Sequence, residues 1–300
     1  MFKNVTVYRT SPGWAPAVEQ LEEALAATPF QPCGPTQEKS FGWVPPRGDA
    51  HAALVESIGG HRIMSLMIET KAVPGSVVQR LLEERTAAVE ASSGRKPGRK
   101  ESRDMKEELV RELLPMAFPK TSRVMVWHDP EHQRLLLDTT STARADEVTT
   151  ALVRAFDGLQ LSLLDTATSP QVAMTNWLTL TDVDEWPPHL APGREVELKS
   201  SDEQKSVVRF TRHHLDAEQM QMHIAQGKLP TQMGLDWDGR VAFVLTESLQ
   251  LRKVSFLDGV FEDNASSEDS GGFDADVAIA TGELSALLND LLAALGGQTD

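Results

Sequence analysis

The chain has one cysteine in 300 residues, Cys33. An internal disulfide is therefore impossible, and a zinc site built from several thiolates is excluded. No apolar run approaches the ~18 residues of a membrane span. The opening MFKNVTVYRT lacks the apolar stretch of a secretory signal, so the chain reads as soluble and cytoplasmic. In that compartment the sequons Asn4-Val5-Thr6 and Asn264-Ala265-Ser266 are chance matches. A Walker A loop, G-x-G-x-x-G after a strand, G-x-S-x-G and an EF-hand loop are all missing, as is any internal repeat.

Positive charge is also scarce: 29 Lys and Arg stand against 44 Asp and Glu, for a net charge of −15. What there is of it is concentrated. Arg95 to Arg123 holds nine basic and five acidic residues, whereas the rest of the chain carries 20 and 39. Arg95, Lys96, Arg99, Lys100, Arg103 and Lys106 form the densest part. Surface potential acts locally, so an acidic chain can still keep one face for a polyanion. The plainer reading of such a run is a solvated connector.

Hydrophobic spacing predicts an α+β fold of mixed antiparallel sheets with flanking helices. Strands are expected at Val5 to Arg9 and Arg62 to Glu69, with a helix at Ala17 to Ala27 and, at Phe41 to Pro46, an aromatic strand end followed by a rigid Pro-Pro turn. A helix capped by Ser76 runs to Ala91, with Val77, Val78, Leu81, Leu82 and Val89 as its apolar face. SSGRKPG breaks it, and a second helix starts near Ser102 with Leu109, Val110, Leu113 and Leu114 as its stripe. The basic cluster thus spans a helical arm, and positions 99, 103 and 106 share one helix face.

Beyond the arm, Arg123 to His128 and Gln133 to Thr139 form a hairpin. A helix at Ala143 to Phe156, a strand at Leu159 to Leu164 and a helix at Gln171 to Trp177 lead into a proline-rich link, Trp186 to Pro192. Val207 to Arg212 is a strand, Asp216 caps a helix to Ala225, and a meander covers Leu229 to Leu257 around the Asp238-Gly239 turn. Asp258 to Asp276, with seven acids and no base, reads as a mobile loop, and Thr281 as the cap of a final leucine-rich helix. Residues 1–300 form one unit with regions 1–75, 76–123 (the basic arm), 124–190 and 191–300.

Two motifs suggest metal chemistry. His128-Asp129-Pro130-Glu131-His132 fits H-x-x-E-H, but that pattern needs a helix, and Pro130 between two strands makes it a turn. Asp236 with Asp238, and Asp274 with Asp276, are the carboxylate pairs a metal-dependent nuclease would use. Asp238 is more simply the first residue of a tight turn, and Asp274 and Asp276 flank a strand entry. His213-His214 adjoins Arg209 and Arg212 at a strand end, where one of the two histidines can join an arginine on one face; the pair is either a phosphate contact or simply exposed. The six tryptophans are expected in the core or at interfaces, none sitting in a basic-aromatic alternation.

The islands FKNVTVYR (Phe2 to Arg9), F-x-P-C-G (Phe30 to Gly34), GWVPP (Gly42 to Pro46), LLPMAF (Leu113 to Phe118), GLDW (Gly234 to Trp237) and FDADVAIATGELSALL (Phe273 to Leu288) together resemble the RdgC family of recombination-associated proteins. They lie in family order across essentially the whole chain. The resemblance implies a nucleoid-associated protein without catalytic residues or cofactor. Crescent-shaped protomers of such a protein close into a homodimeric ring around double-stranded DNA and limit access of the RecA recombinase. A ring needs positive charge only on its inner wall, so an acidic exterior is permissible.

The phosphate-contact candidates are Arg95, Lys96, Arg99, Lys100, Arg103, Lys106, Arg209, Arg212 and His213. Phe118 is either an apolar dimer contact or a local core residue. Family members typically carry Lys near two places where this chain has Pro230-Thr231-Gln232-Met233 and Thr211-Arg212-His213-His214. That departure weakens the transfer of inner-wall charge to those positions, except at Arg209 and Arg212. Two rival readings remain: a metal-dependent nuclease, or an acidic protein-interaction module acting on the recombinase directly.

Overall fold

Residues Arg134–Asp138 read RLLLD, and all three leucines are fully buried although alternate strand residues face opposite ways. The sheet must therefore be covered on both sides at this point. A computed structural model shows how, describing residues 2–49, 51–202, 205–213, 215–257, 260 and 272–299. His214, the second sequon and most of the acidic stretch after Leu257 lie outside the described residues.

The elements in chain order are β1 (Val5–Thr10), α1 (Val18–Ala26), β2 (Lys39–Val44), β3 (Glu56–Ile58), β4 (His61–Lys71), α2 (Gly75–Ser93), α3 (Arg99–Leu113), β5 (Pro119–Asp129), β6 (Arg134–Asp138) and α4 (Thr142–Ala155). They continue as β7 (Leu161–Leu163), α5 (Pro170–Thr179), β8 (Leu190–Ser200), β9 (Val207–Thr211), α6 (Ala217–Ala225), β10 (Lys228–Trp237), β11 (Val241–Thr246), β12 (Leu251–Phe256) and α7 (Gly272–Ala294). The strands join one antiparallel sheet in the order β2-β4-β5-β6-β1-β12-β11-β10-β8-β9, with β3 on β4 and β7 on β1.

On one face Leu135 and Leu137 pack with Met64, Leu66, Val124 and Val126 beneath Leu21 and Leu25 of α1 and Val148 and Leu152 of α4. On the other, Leu136, Val5, Val7 and Trp127 meet α7. That second core runs on through Met233, Leu235, Phe243 and Leu245 to α5 and α6, so α7 ties the two halves together. By length and composition α7 could span a membrane. Its Val277, Leu284, Leu287, Leu288 and Leu291 are instead buried against the sheet. Burial of this kind contributes about 25 cal/mol per Å² of apolar area removed from water.

The β2 edge is closed. Trp43 donates its backbone N–H to Thr28 (3.1 Å), and Phe30 donates back to Trp43 (3.0 Å). Gly42 makes this approach possible: a Cβ there would stand 2.4 Å from the Phe30 Cα. The F-x-P-C-G and GWVPP islands are thus two sides of one contact.

Several sequence expectations need correction. The fold has one continuous sheet where several were expected. The final helix starts at Gly272, so Asp274 and Asp276 are helical and flank no strand. Thr281 is buried mid-helix, its hydroxyl donating to the Val277 carbonyl (2.8 Å). The proline-rich link gives way at Leu190 to β8, an eleven-residue strand that sequence patterning missed because Pro192 and Gly193 interrupt its start. Helix α2 begins at Gly75 after Pro74, with Ser76 inside it, and α3 begins at Arg99 after Gly98. Asp216 does cap α6, accepting from the Gln219 N–H (3.1 Å).

Candidate nucleic-acid interface

The arm leaves the sheet between the paired strands β4 and β5. At about 1.5 Å per residue, α2 and α3 extend roughly 28 and 22 Å. Two helices alone cannot cover each other's apolar stripes. Only Val78, Leu109 and Leu114, all near the sheet, are buried, while Val77, Leu81, Leu82, Val89, Val110 and Leu113 stay half-exposed. Arg85 clamps the helices together, reaching Glu112 at 2.5 Å and Glu108 at 3.5 Å.

At the tip, Gly94 ends α2 in the left-handed region (φ 71°), donating to the Glu90 carbonyl at 2.9 Å. Glu101 then accepts from the Gly98 N–H (3.4 Å) and from Arg95 (3.0 Å) at the start of α3. All six cluster residues are exposed. Arg95 pairs with Glu101, and Arg103 with Glu107 at 3.0 Å. Lys96, Arg99, Lys100 and Lys106 make no ion pair among the described residues.

Helix α3 contains as many acids as bases, so the excess lies at the turn and first helical turn, where Arg95, Lys96, Arg99 and Lys100 stand together. Cations at a helix N-terminus oppose the macrodipole. They lower the stability of α3, and a polyanion drawn to the tip would offset that cost.

Arg209, Arg212 and His213 lie at the far end of the sheet, on and just after β9. Six strands separate β5 from β9, which at about 4.8 Å per step puts the arm's root roughly 34 Å from this group. The structure therefore does not merge the two basic groups into one patch. Arg209 is already engaged, its guanidinium bonded to Glu197 of β8. Burial pushes the Glu197 carboxyl up, but hydrogen bonds from Thr231 and Arg209 outweigh it and hold it below the usual range. Arg212 has a left-handed backbone (φ 54°) and lines a groove with Arg194 and Lys253. The His213 ring lies 5.8 Å from that of Phe210. Arg194, Arg252 and Lys253 line the grooves beside Arg209 and Arg212 and went unnoticed in the sequence, Arg194 because β8 itself was missed.

Phe118 is 92 % exposed, which removes it from the core. Met116, 69 % exposed, stands two residues before it, giving an apolar knob at the arm's root.

The metal-binding motifs resolve differently. His128 is buried in β5, its ring 4.6 Å from that of Trp14, whereas His132 in the turn bonds Asp129 at 2.8 Å. The two imidazoles of H-x-x-E-H thus have separate surroundings. Asp236 accepts from the Gly239 N–H (2.7 Å), Asp238 pairs with His189 (2.9 Å), and Asp274 pairs with Arg47 (2.5 Å). Among the described residues no group of three or more His, Cys, Asp or Glu is placed to hold a metal ion.

Comparison with known proteins agrees with the islands. A family profile described as "Putative exonuclease, RdgC" matches residues 1–298. "Recombination-associated protein RdgC" of Cupriavidus pinatubonensis and that of Herminiimonas arsenicoxydans are each 41 % identical, over 99 % of this chain and 98 % of their own length. The Dechloromonas aromatica protein of the same name is 38 % identical over the same shares. A match of this extent, covering the whole sheet and the arm between β4 and β5, means that the chain belongs to the RdgC family.

Proposed function

We propose that this protein binds double-stranded DNA without sequence preference, as a homodimeric ring, and restrains RecA-dependent recombination without catalysing a reaction. It acts in the cytoplasm, on the nucleoid. The observation that carries the reading is the exposed arm tip, where Lys96, Arg99 and Lys100 have no carboxylate partner among the described residues of an otherwise acidic chain. Backbone phosphates are the ligand such a tip suits, since point cations neutralise them whatever the base sequence. Arg95, Arg103, Lys106, Arg209, Arg212 and His213 complete the proposed contact set. Phe118 and Met116 provide an apolar surface for a second copy, and a two-fold dimer would bring both copies of that knob into a closed interface.

The test is duplex affinity against salt, with linear and closed circular DNA compared. Affinity should fall steeply with rising salt, and closed circles should be retained longer than linear fragments. Flat salt dependence would support the protein-interaction reading instead. The family description names an exonuclease, so the same samples should be incubated with Mg²⁺. Robust degradation, lost in Asp236→Ala, would falsify the non-catalytic assignment.

A further inference from the structure

A cavity of about 310 Å³ lies where the end of α5, the loop into β8 and the start of α6 meet. Its floor is aromatic: the rings of Trp177 and Trp186 have centroids 6.3 Å apart at 36°. That spacing is direct ring-to-ring contact, so the pair makes a continuous apolar surface and leaves no gap for a cation between the rings. Leu180 and Leu215 extend the floor. The rim is acidic, formed by Asp182, Asp216 and Glu218, and no Lys or Arg is among the described lining residues.

The walls are held in place. Gln221 of α6 donates to the Thr179 carbonyl at the end of α5 (3.0 Å), and Asp216 caps α6. A preformed apolar hollow ringed by one sign of charge has the features of a docking site. Phosphate is disfavoured there, because every charged lining group is a carboxylate.

We infer that this pocket binds a short segment of a partner protein, an apolar side chain flanked by Lys or Arg. The apolar chain would cover the tryptophan floor while the cations meet Asp182 and Glu218, so hydrophobic burial supplies affinity and charge supplies selection. A pocket this small accommodates one or two side chains, which fits a transient contact rather than an obligate one. The inference is independent of the DNA-binding arm.

The test uses fluorescein-labelled peptides containing Lys-Leu-Arg, Lys-Gly-Arg or Glu-Leu-Glu between glycines, titrated with the full chain. Lys-Leu-Arg should bind saturably. Lys-Gly-Arg should bind about tenfold more weakly, and Glu-Leu-Glu not measurably. Trp186→Ala should weaken Lys-Leu-Arg binding about tenfold. The double variant Asp182→Asn, Glu218→Gln, which keeps the floor intact, should weaken it several-fold and reduce its salt dependence. Both variants should retain duplex DNA as the parent does, showing that they are folded. No saturable binding, equal binding of Lys-Gly-Arg, or binding untouched by both variants overturns the inference.

Discussion

The Arg209 guanidinium on β9 is bonded to the Glu197 carboxylate on β8, and Thr231 donates to the other Glu197 oxygen at 2.8 Å. A phosphate approaching β9 must therefore compete with a carboxylate already in place. Exposed pairs of this kind contribute about 0.2–1 kcal/mol. Glu197→Gln is accordingly expected to raise duplex affinity by up to about fivefold at low salt. Fluorescence anisotropy checks this, and unchanged affinity would mean that Arg209 does not meet DNA.

The arm offers a contrast within a single helix. Lys100 has no ion-pair partner among the described residues, while Arg103 spends its charge on Glu107. Lys100→Ala should lower the slope of log affinity against log salt by about 0.9, the value of one lost phosphate contact. Arg103→Ala should change it less. Replacing Arg99, Lys100 and Arg103 together by Glu should abolish duplex binding and leave the dimer intact. Normal low-salt affinity in that triple variant would move the DNA surface elsewhere.

Phe118→Ser tests the other end of the arm. The side chain is 92 % exposed, so the unfolding free energy from urea titration at low protein concentration should stay within about 0.5 kcal/mol of the parent. Dimer mass in analytical ultracentrifugation should fall on dilution, and closed circular DNA should be released faster. If mass and retention both stay normal, Phe118 is no part of the interface.

Most of the strands and helices were legible because each alternates or repeats its apolar residues over a surface that tertiary packing then covers. Strand β8 and the start of helix α7 were not, for different physical reasons. Strand β8 opens with Ala191-Pro192-Gly193, residues that break the strand signal, and only pairing with β10 holds them extended. Helix α7 begins in a stretch rich in Asp and Gly, and Arg47 reaches across from the far side of the chain to hold Asp274, a contact no local pattern announces. In the site, the basic arm was legible as a run of charge. Which of its cations are already neutralised was not, because that depends on side-chain partners such as Glu101 and Glu107. The exposure of Phe118 was equally hidden, since an LLPMAF run reads the same whether it enters a core or leaves one.

Gly42→Ala should be among the more damaging single-methyl additions to this chain. The new Cβ would meet the backbone of Phe30 and Pro29 at 2.4–2.7 Å, and backbone atoms cannot swing aside as a flexible side chain can. Overpacking of this kind costs about 1–3 kcal/mol. The loss should be local, opening the β2 edge and exposing strand pairing groups that invite aggregation. Urea denaturation measures the stability change, and hydrogen exchange at Phe30 and Trp43 should report faster opening. Parent-like stability would show that residues 28–31 do not seal the edge.

His128 should make the fold acid-sensitive well above the range where carboxylates protonate. The side chain is fully buried, its Nε2 has no hydrogen-bond partner among the described residues, and the Arg62 guanidinium lies 3.4 Å from its Nδ1. Burial first, and then Arg62, lower its pKa to about 4. An unfolded histidine titrates near 6.5, so the unfolded chain takes up a proton that the native one refuses. Stability from this group is complete above about pH 6.5 and is lost as pH falls towards 4. Between pH 7.5 and pH 5 the loss should be about 2 kcal/mol. Burial lowers the His61 pKa too, adding to the trend in the same direction. His128→Gln keeps a neutral polar group but cannot titrate. It should be less stable than the parent at pH 7.5, through lost packing on Trp14, yet change less between the two pH values. Urea midpoints at pH 7.5, 6.5, 5.5 and 5 decide the matter, and parallel curves for parent and variant would assign the acid sensitivity to other groups.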